Sequence, residues 1–491
     1  MKTLTELLAE AHLAVDALAN VPAVEIVSES VVPNVQVGAL NQSNAPWNTV
    51  QIRKTLSQKG RCDLPPGLVQ IDNDIRVASG NQIRGLGNPD NPSIIQVVPG
   101  SPAVAARGPA GAWYSIFQSN TAAGALVGDT FGLPVGPAHE VTIQNLVLDC
   151  GFDEQTRVAG SQSASPTTCQ AISIEGLGLV VEDVETRNHA KGKGGGECFP
   201  IRMWAPQVKC TEVRTARLSR IRCSHIGSAG STHTGAGGDE ITLFSLVGSP
   251  ANLLVAPVIE DCVVTGLKRG PSQPSPIHVF HTTYSIGDTV RNNTVLDSDA
   301  TCVYRDTGRS RFSRVTGNIF SNVHRGVSFN AVSDFDAREF DISDNVIFLL
   351  NGQPIWNVNA TPAGILFQRM GLSGVGFVGG TFSGNRIAAP YGPFGTQQFY
   401  GRGIYLELRS KTDAAALVAR DNLIDVLQPS VGTYYPPGWK SLLAIYIANQ
   451  AAWDPTTPCL RAWGNRDSSG LMLPVTVVDS GYIPRLSVPQ Q

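Results

Sequence analysis

Two acidic residues occupy matching places before two short apolar strands. Glu197 lies four residues before Ile201 in KGKGGGECFPI, and Asp239 lies four residues before Leu243 in HTGAGGDEITL. If these strands are equivalent on adjacent turns, the two carboxyl groups come within the several ångströms that glycosidic hydrolysis uses for an acid and a base or nucleophile. Glu240 is a third candidate, because strand alternation turns it outward. The alternative for each acid is a loop carboxylate that caps a turn.

The strands that follow these acids place polar and aromatic residues between apolar ones. If Ile201, Ile241 and Ile277 point inward, alternation turns the polar and aromatic residues of these strands outward. That set comprises Arg202, Trp204, Phe244, His278 and Phe280. Equivalent residues on successive turns lie about 4.8 Å apart, so the aromatic rings would form a column suited to the C–H faces of sugars. The alternative is that long loops or another subunit cover these rings.

A second polar cluster lies farther along the chain. Asp299, Arg305 and Asp306 lie close together in sequence, with Asp297, His324 and Arg325 nearby. An Asp beside an Arg is held ionised, which suits a charge stabiliser or an acceptor for sugar hydroxyls. The alternative is an ordinary network of surface salt bridges. His225 and His233 have no third ligand in sight, so we expect neither a metal site nor a cofactor.

The elements that position these residues follow from a repeat. An apolar residue, a variable one, an Asn or Asp (sometimes Gly or Arg) and alternating apolar residues recur from about residue 65 onward. The recurrences fall at Gly85, Asn145, Asp183, Arg222, Asp261, Asn293, Asn318, Asn345, Asn385, Asn422 and Asn465. A second short strand follows each, with little helix pattern between. This predicts an all-β fold, a right-handed parallel β-helix of about ten turns, with an Asn or Asp ladder at one bend.

A resemblance supports this fold. Residues 60–97, GRCDLPPGLVQIDNDIRVASGNQIRGLGNPDNPSIIQV, resemble the opening turns of the pectate-lyase-like superfamily, in which a Pro-Pro-Gly turn precedes a strand and an Ile-x-Gly-x-Gly corner. The fold resemblance covers residues 60–470. Members include pectate lyases, polygalacturonases, alginate-modifying enzymes and phage tailspikes. The resemblance implies an acidic or neutral polysaccharide in a groove along the helix.

Glu197 and Asp239 also resemble the positions of the acid and base in the polygalacturonase-like family, which performs inverting hydrolysis. That family has Asn-Thr-Asp and Asp-Asp before the corresponding strands. This chain departs from the pattern, because Glu replaces the first Asp and Gly238-Asp239 replaces the Asp pair. It also lacks the Gly-His-Gly and Arg-Ile-Lys motifs.

Composition excludes several classes of protein. The 491 residues include 37 basic and 40 acidic ones, a net charge of −3, so the basic face of a nucleic-acid binder is not expected. Apolar stretches are interrupted well before the roughly 20 residues of a membrane span. The nine cysteines have no metal-binding spacing. We therefore expect buried thiols in a chain that folds in a reducing compartment.

The beginning of the chain bears on assembly. Leu4, Leu8, Ala11, Val15 and Leu18 have the spacing of an amphipathic helix or short coiled coil. This helix either packs on its own chain or serves attachment. We expect residues 1–50 to form this helix and a linker or irregular cap over 22–50, residues 51–470 the β-helix, and residues 471–491 a tail or cap.

These features favour a phage tailspike-like protein. The first residues lack the basic and apolar regions of a secretory signal, which suits a virion protein. We predict a homotrimer that binds and hydrolyses host surface polysaccharide. We expect its N-terminal helix to contact other virion proteins. One alternative is a non-catalytic β-helical spike, decoration or receptor-binding protein of the virion. Another is a secreted pectin- or alginate-degrading enzyme. A lyase is less expected, because no basic residue accompanies a Ca²⁺-binding acid cluster.

Overall fold

Short strands that pair in parallel make up most of the structure, a computed structural model. It describes residues 44–98, 113–120, 131–151, 168–189, 199–211, 215–226, 241–266, 277–305, 309–331, 336–349, 363–369, 377–389, 402–406, 414–426, 445–448, 460–473, 475–478 and 484–488. Within these ranges each strand pairs with its counterpart from the next turn of the chain. The predicted right-handed parallel β-helix is confirmed.

Three parallel sheets run along the solenoid. Sheet I comprises β1 (Arg61–Leu64), β4 (Gln82–Gly85), β7 (Thr142–Asp149), β9 (Val180–His189), β11 (Arg217–Ser219), β15 (Val258–Glu260), β19 (Thr289–Arg291), β22 (Arg314–Thr316), β24 (Asp336–Ser343), β27 (Phe377–Ser383), β30 (Ala414–Arg420) and β33 (Leu460–Trp463). Sheet II comprises β2 (Gly67–Ile71), β5 (Ser93–Val97), the ends of β7 and β9, β12 (Arg222–Ile226), β16 (Val263–Thr265), β20 (Thr294–Arg305), β23 (Ile319–Ala331), β25 (Val346–Leu349), β28 (Arg386–Ala389) and β31 (Leu423–Val426).

Sheet III is the sheet that carries the residues of interest. It comprises β3 (Ile75–Val77), β6 (Trp113–Ser119), β8 (Thr168–Glu175), β10 (Ile201–Trp204), β13 (Ile241–Val247), β17 (Ile277–Thr283), the ends of β20 and β23, β26 (Ala363–Arg369), β29 (Arg402–Leu406), β32 (Ile445–Ala448) and β34 (Val475–Val478). The last strand, β35 (Pro484–Val488), pairs antiparallel with β34. The corner between sheets III and I holds β14 (Leu254–Val255), β18 (Ser285–Ile286) and β21 (Arg309–Arg311). Sheet III therefore continues past residue 470.

The core fills the inside of the solenoid with stacked apolar side chains. On sheet III one residue per turn stands in register: Ile75, Phe117, Ile172, Ile201, Phe244, Phe280, Val303, Val327, Ile365, Ile404, Ile445 and Val475. All of them are buried. Each turn has an apolar face that only the neighbouring turns can cover, which is why the stack is continuous.

The predicted Asn ladder exists in the second half of the chain. Six Asn side chains, all buried, form it: Asn293, Asn318, Asn345, Asn385, Asn422 and Asn465. The amide nitrogen of each of the first five donates to the side-chain oxygen of the next Asn at 2.7 to 3.0 Å. All six amide nitrogens donate to a backbone carbonyl of the preceding turn. The ladder satisfies buried backbone groups at the bend from sheet I to sheet II.

The alignment of the earlier turns was wrong by one or two positions. Arg222 is level with Glu185, and it is Arg220 that lies beside Asp183, with Nε–Oδ1 at 2.7 Å. Asn293 is level with Cys262, whose backbone nitrogen donates to the Asn293 side chain at 2.9 Å. The physical reason is that the corner residue with positive φ, such as Asp183 or Asp261, directly precedes the ladder position. The corner position and the ladder position both favour Asn and Asp, so the residue type alone does not distinguish one position from the other.

One helix, α1 (Ala45–Lys59), closes the start of the solenoid. Its first six residues belong to the segment expected to be a linker or irregular cap, and that expectation is wrong for them. Asn44 caps the helix by accepting from the Trp47 nitrogen at 3.1 Å, and Gly60 ends it at a φ of 69°. Ile52 and Leu56 join the core cluster. The predicted helix over residues 4–18 lies outside the described residues.

The described cysteines behave as small apolar residues. Cys62, Cys223, Cys262 and Cys302 are buried free thiols. Cys150 is also buried, and its sulfur lies 3.2 Å from Nδ1 of His189. Burial raises the pKa of Cys62, Cys223 and Cys262 to about 12, so these thiols stay neutral. Within the described parts of the chain, no helix has the length and apolar character needed to cross a membrane.

Candidate functional site on the outer side of sheet III

Strand alternation on sheet III is interrupted, and this changes the direction of two predicted site residues. Phe244 and Phe280 point into the core, where their rings stack 5.8 Å apart, so their predicted outward position is wrong. Both members of Leu243–Phe244 and of Val279–Phe280 belong to the core cluster. This irregularity, two consecutive core residues at the same level of successive turns, reverses the alternation beyond it.

A row of polar residues occupies the outer side next to this inner column. Arg202 is in register with Ser245, Ser245 with His281, and His281 with Tyr304. The Ser245 hydroxyl lies 3.3 Å from Nδ1 of His281. Arg202 and His281 are partly exposed, whereas Ser245 and Tyr304 are buried. The row thus presents two nitrogen-bearing side chains to a ligand over a polar layer.

His278 points outward, as predicted, and stacks on Tyr304. Their ring centroids are 3.5 Å apart with an interplanar angle of 15°, and His281 is tilted against the same Tyr304 ring at 6.2 Å. His278 is only 2% exposed. The stack therefore supports the exposed His281 and leaves little of His278 for a ligand.

Arg202 and Trp204 both face outward, as predicted, and they contact each other. The Arg202 guanidinium carbon lies 4.8 Å from the Trp204 ring centroid and 4.2 Å from that of Phe199. This cation–π arrangement holds the guanidinium group and the indole in fixed relative positions. Trp204 remains partly exposed. A rigid aromatic surface beside a fixed cation can stack on one ring and donate hydrogen bonds to its substituents.

Glu175 ends β8 beside this pair and was not among the predicted residues. It is in register with Trp204 and partly exposed. Burial raises the pKa of its carboxyl above the usual 4.5. Its place on the outer side follows from Ile172 and Ile174, which point into the core on the same strand. Neither Glu175 nor His281 lies in a motif, so only the correct register between strands could have found them.

Arg305 lies inside the solenoid, so the prediction that it contacts a ligand or forms a surface salt bridge is wrong. Its guanidinium group forms a fully buried ion pair with Asp288. Asp288 also accepts hydrogen bonds from Ser285 at 2.8 Å and Ser310 at 3.0 Å. The same irregularity explains its direction, because Cys302 and Val303 both belong to the core. A buried pair of this kind needs such additional partners.

Of the remaining predicted residues, Asp297 and Asp299 are described, and both lie outside this row. Asp299 is partly exposed on β20, and Asp297 is exposed and accepts a hydrogen bond from Asn322 at 2.7 Å. Glu197, Asp239, Glu240 and Asp306 lie outside the described residues. The first three belong to the segments that lead into β10 and β13. Among the residues that are described, no three metal-binding side chains come together.

Comparisons with known proteins bear on the fold. Neither protein-family models nor curated proteins match the sequence. Among solved structures, an exopolygalacturonase of Thermotoga maritima is 12% identical, covering 94% of this chain and 96% of its own, with a TM-score of 0.45. A DFA-IIIase of Arthrobacter chlorophenolicus in complex with DFA-III is 15% identical, covering 88% and 93%, with a TM-score of 0.45.

Another similar solved structure is that of an adhesin. A surface adhesin of Streptococcus pneumoniae is 9% identical, covering 92% of this chain and 94% of its own, with a TM-score of 0.45. The parallel strand ladder itself, with its three sheets and apolar interior, establishes the fold. That fold is a right-handed parallel β-helix.

Proposed function

We propose that the protein binds a polysaccharide along the outer side of sheet III and hydrolyses its glycosidic bonds. The observation that carries the proposal is the partly exposed group Arg202 and Trp204 on β10 and His281 on β17, the two strands that flank β13. Sugars combine apolar C–H faces with many hydroxyl groups. An exposed indole offers apolar area, and guanidinium and imidazole groups offer hydrogen bonds.

The proposed chemistry uses the acids that precede β10 and β13. One of Glu197 and Asp239 donates a proton to the leaving glycosidic oxygen as the bond to the anomeric carbon breaks. In an inverting reaction water adds directly to that carbon and the second carboxylate takes the proton of the water. In a retaining reaction the second carboxylate attacks the carbon to form a covalent intermediate, and water then displaces this carboxylate while the first residue, now ionised, takes the proton of the water. Glu240 is the alternative to Asp239 in this role. Arg202 and His281 would bind the neighbouring sugar units.

The proposed setting is a phage tailspike-like protein in the virion, assembled as a homotrimer. Support comes from the apolar spacing of Leu4, Leu8, Ala11, Val15 and Leu18, which suits association with a second helix or with other virion proteins. A sheet whose outer side continues over several turns suits a long ligand. Host surface polysaccharide is such a ligand.

Turnover of polysaccharides tests the proposal. The purified protein is incubated with bacterial capsule, lipopolysaccharide and plant-wall polysaccharides, and new reducing ends and ultraviolet absorbance of unsaturated products are followed. We expect reducing ends without unsaturated products. Glu197→Gln and Asp239→Asn should each lower kcat by about 100-fold or more while binding persists.

Glu339→Gln serves as the matched control, because Glu339 is exposed at the corner between sheets III and I. It should leave kcat unchanged. Appearance of both signals would establish a lyase and contradict the paired-acid mechanism. Binding without any product would establish a non-catalytic spike or receptor-binding protein instead.

A further inference from the structure

Three residues on neighbouring strands form a small surface at the end of the outer row. Glu175 on β8 is in register with Trp204 on β10, and Trp204 is in register with Val247 on β13. All three are partly exposed. Residues in register on adjacent strands lie about 4.8 Å apart. A carboxyl group, an indole and an aliphatic side chain therefore line a surface about the width of one sugar ring.

The indole in this surface is already held in place. Arg202 lies over the Trp204 ring at 4.8 Å from its centroid and is itself backed by Phe199. The guanidinium group thus fixes the indole, and a sugar ring would stack on the part of the indole that is exposed. Because the ring is fixed before a ligand arrives, less conformational entropy is lost on binding.

The carboxyl of Glu175 has the properties of a hydrogen-bond acceptor for a ligand. The carboxyl forms no hydrogen bond or ion pair with another residue in the described part of the chain, although the backbone nitrogen of Glu175 donates a hydrogen bond to the Ser119 hydroxyl at 3.0 Å. An ionised carboxylate only accepts hydrogen bonds, and its two oxygens can accept from two neighbouring donors at once. Adjacent hydroxyl groups of a sugar provide such donors, whereas a uronate carboxylate would bring a second negative charge.

We propose that Glu175, Trp204 and Val247 form a subsite for an uncharged sugar unit. Trp204 stacks on the sugar ring, Glu175 accepts hydrogen bonds from two adjacent hydroxyls, and Val247 packs against the C–H face. The inference rests on the proposed function, since it presupposes a glycan ligand. It adds the class of sugar at one position and a residue that selects it.

Binding measurements with matched variants test the subsite. Neutral oligosaccharides and uronate-containing oligosaccharides are titrated into the full chain by calorimetry at pH 7. We expect the neutral set to bind, Trp204→Ala to weaken binding by about 10-fold or more, and Glu175→Gln to weaken it by about 10-fold. Glu185→Gln is the control, because Glu185 is a partly exposed acid on β9, away from sheet III.

The pH dependence of binding separates a carboxylate acceptor from a merely structural residue. Burial raises the pKa of Glu175 above 4.5, so the acceptor is lost on protonation at a higher pH than for an ordinary Glu. Affinity should fall as pH decreases through that raised value. The charged or titratable side chains near Glu175 are Arg202 on β10 and His139 and Glu140, which follow Ala138. The backbone nitrogen of Ala138 donates to the Glu175 carbonyl. Strand β6 has no charged side chain. Glu175→Gln keeps these other groups, so the difference between the pH profiles of the unaltered protein and of this variant reports the titration of Glu175 alone.

The outcomes distinguish this inference from the proposed function. If Glu175→Gln binds neutral sugars as tightly as the unaltered protein and keeps the same pH dependence, the subsite is contradicted while the function stands. If the unaltered protein binds uronate-containing oligosaccharides and no neutral ones, the subsite is likewise contradicted and the proposed function stands. If the unaltered protein binds no glycan at all, the proposed function and the subsite both fail.

Discussion

Phe280 and His281 are adjacent in the chain and lie in different environments. Phe280 stacks on Phe244 inside the solenoid, and His281 is partly exposed beside Ser245. Sequence alternation predicted the directions of Arg202, Trp204 and His278 correctly but not that of Phe280. An irregularity of one residue reverses the alternation, and nothing in the residue types of VFHTT marks where it falls.

Substitution of the two kinds of Phe tests these directions. Phe280→Ala should lower the free energy of unfolding by about 3–5 kcal/mol, because it leaves a cavity in the stacked core. Phe312→Ala is the control, since Phe312 is 52% exposed, and it should change stability by at most about 0.5 kcal/mol. Urea unfolding followed by circular dichroism measures both. Equal effects of the two substitutions would contradict the inward position of Phe280.

The Asn ladder is the element that the sequence predicted best. Six recurrences from Asn293 to Asn465 occupy one buried, hydrogen-bonded line. The earlier recurrences were placed less well, because the corner residue with positive φ and the ladder residue are neighbours with similar preferences. Asn292 and Asn293 show the difficulty, since both are Asn and only the second is in the ladder. Helix α1 was missed because its apolar residues are few, although Asn44 and Gly60 were available as caps.

Removing one member of the ladder should destabilise the solenoid. Asn345→Ala takes away the acceptor of the Asn318 amide at 2.8 Å and the donor to Asn385 at 3.0 Å, leaving buried polar groups without partners. We expect a loss of at least about 2 kcal/mol in the free energy of unfolding. Asn91→Ala, at an exposed turn, should stay within about 0.5 kcal/mol. An unchanged midpoint for Asn345→Ala in thermal unfolding would rule out a stabilising ladder.

Across the whole molecule, the interior and the exterior of the solenoid follow different rules. The interior follows from apolar repeats, which is why the fold could be predicted from the sequence alone. The outer side of sheet III depends on which residues of separate turns lie level with one another. Variable spacing between the turns hides that register, so Glu175 and Ser245 could not be paired with Trp204 and His281 in advance.

The proposed function requires that a glycan binds along the outer side of sheet III. A crystal structure of the protein with an oligosaccharide from a bound or cleaved polysaccharide would show where the glycan lies. We expect sugar units in contact with Trp204 and within hydrogen-bond distance of Arg202 and His281. A ligand bound on sheet I or sheet II, with no contact to these three residues, would contradict it.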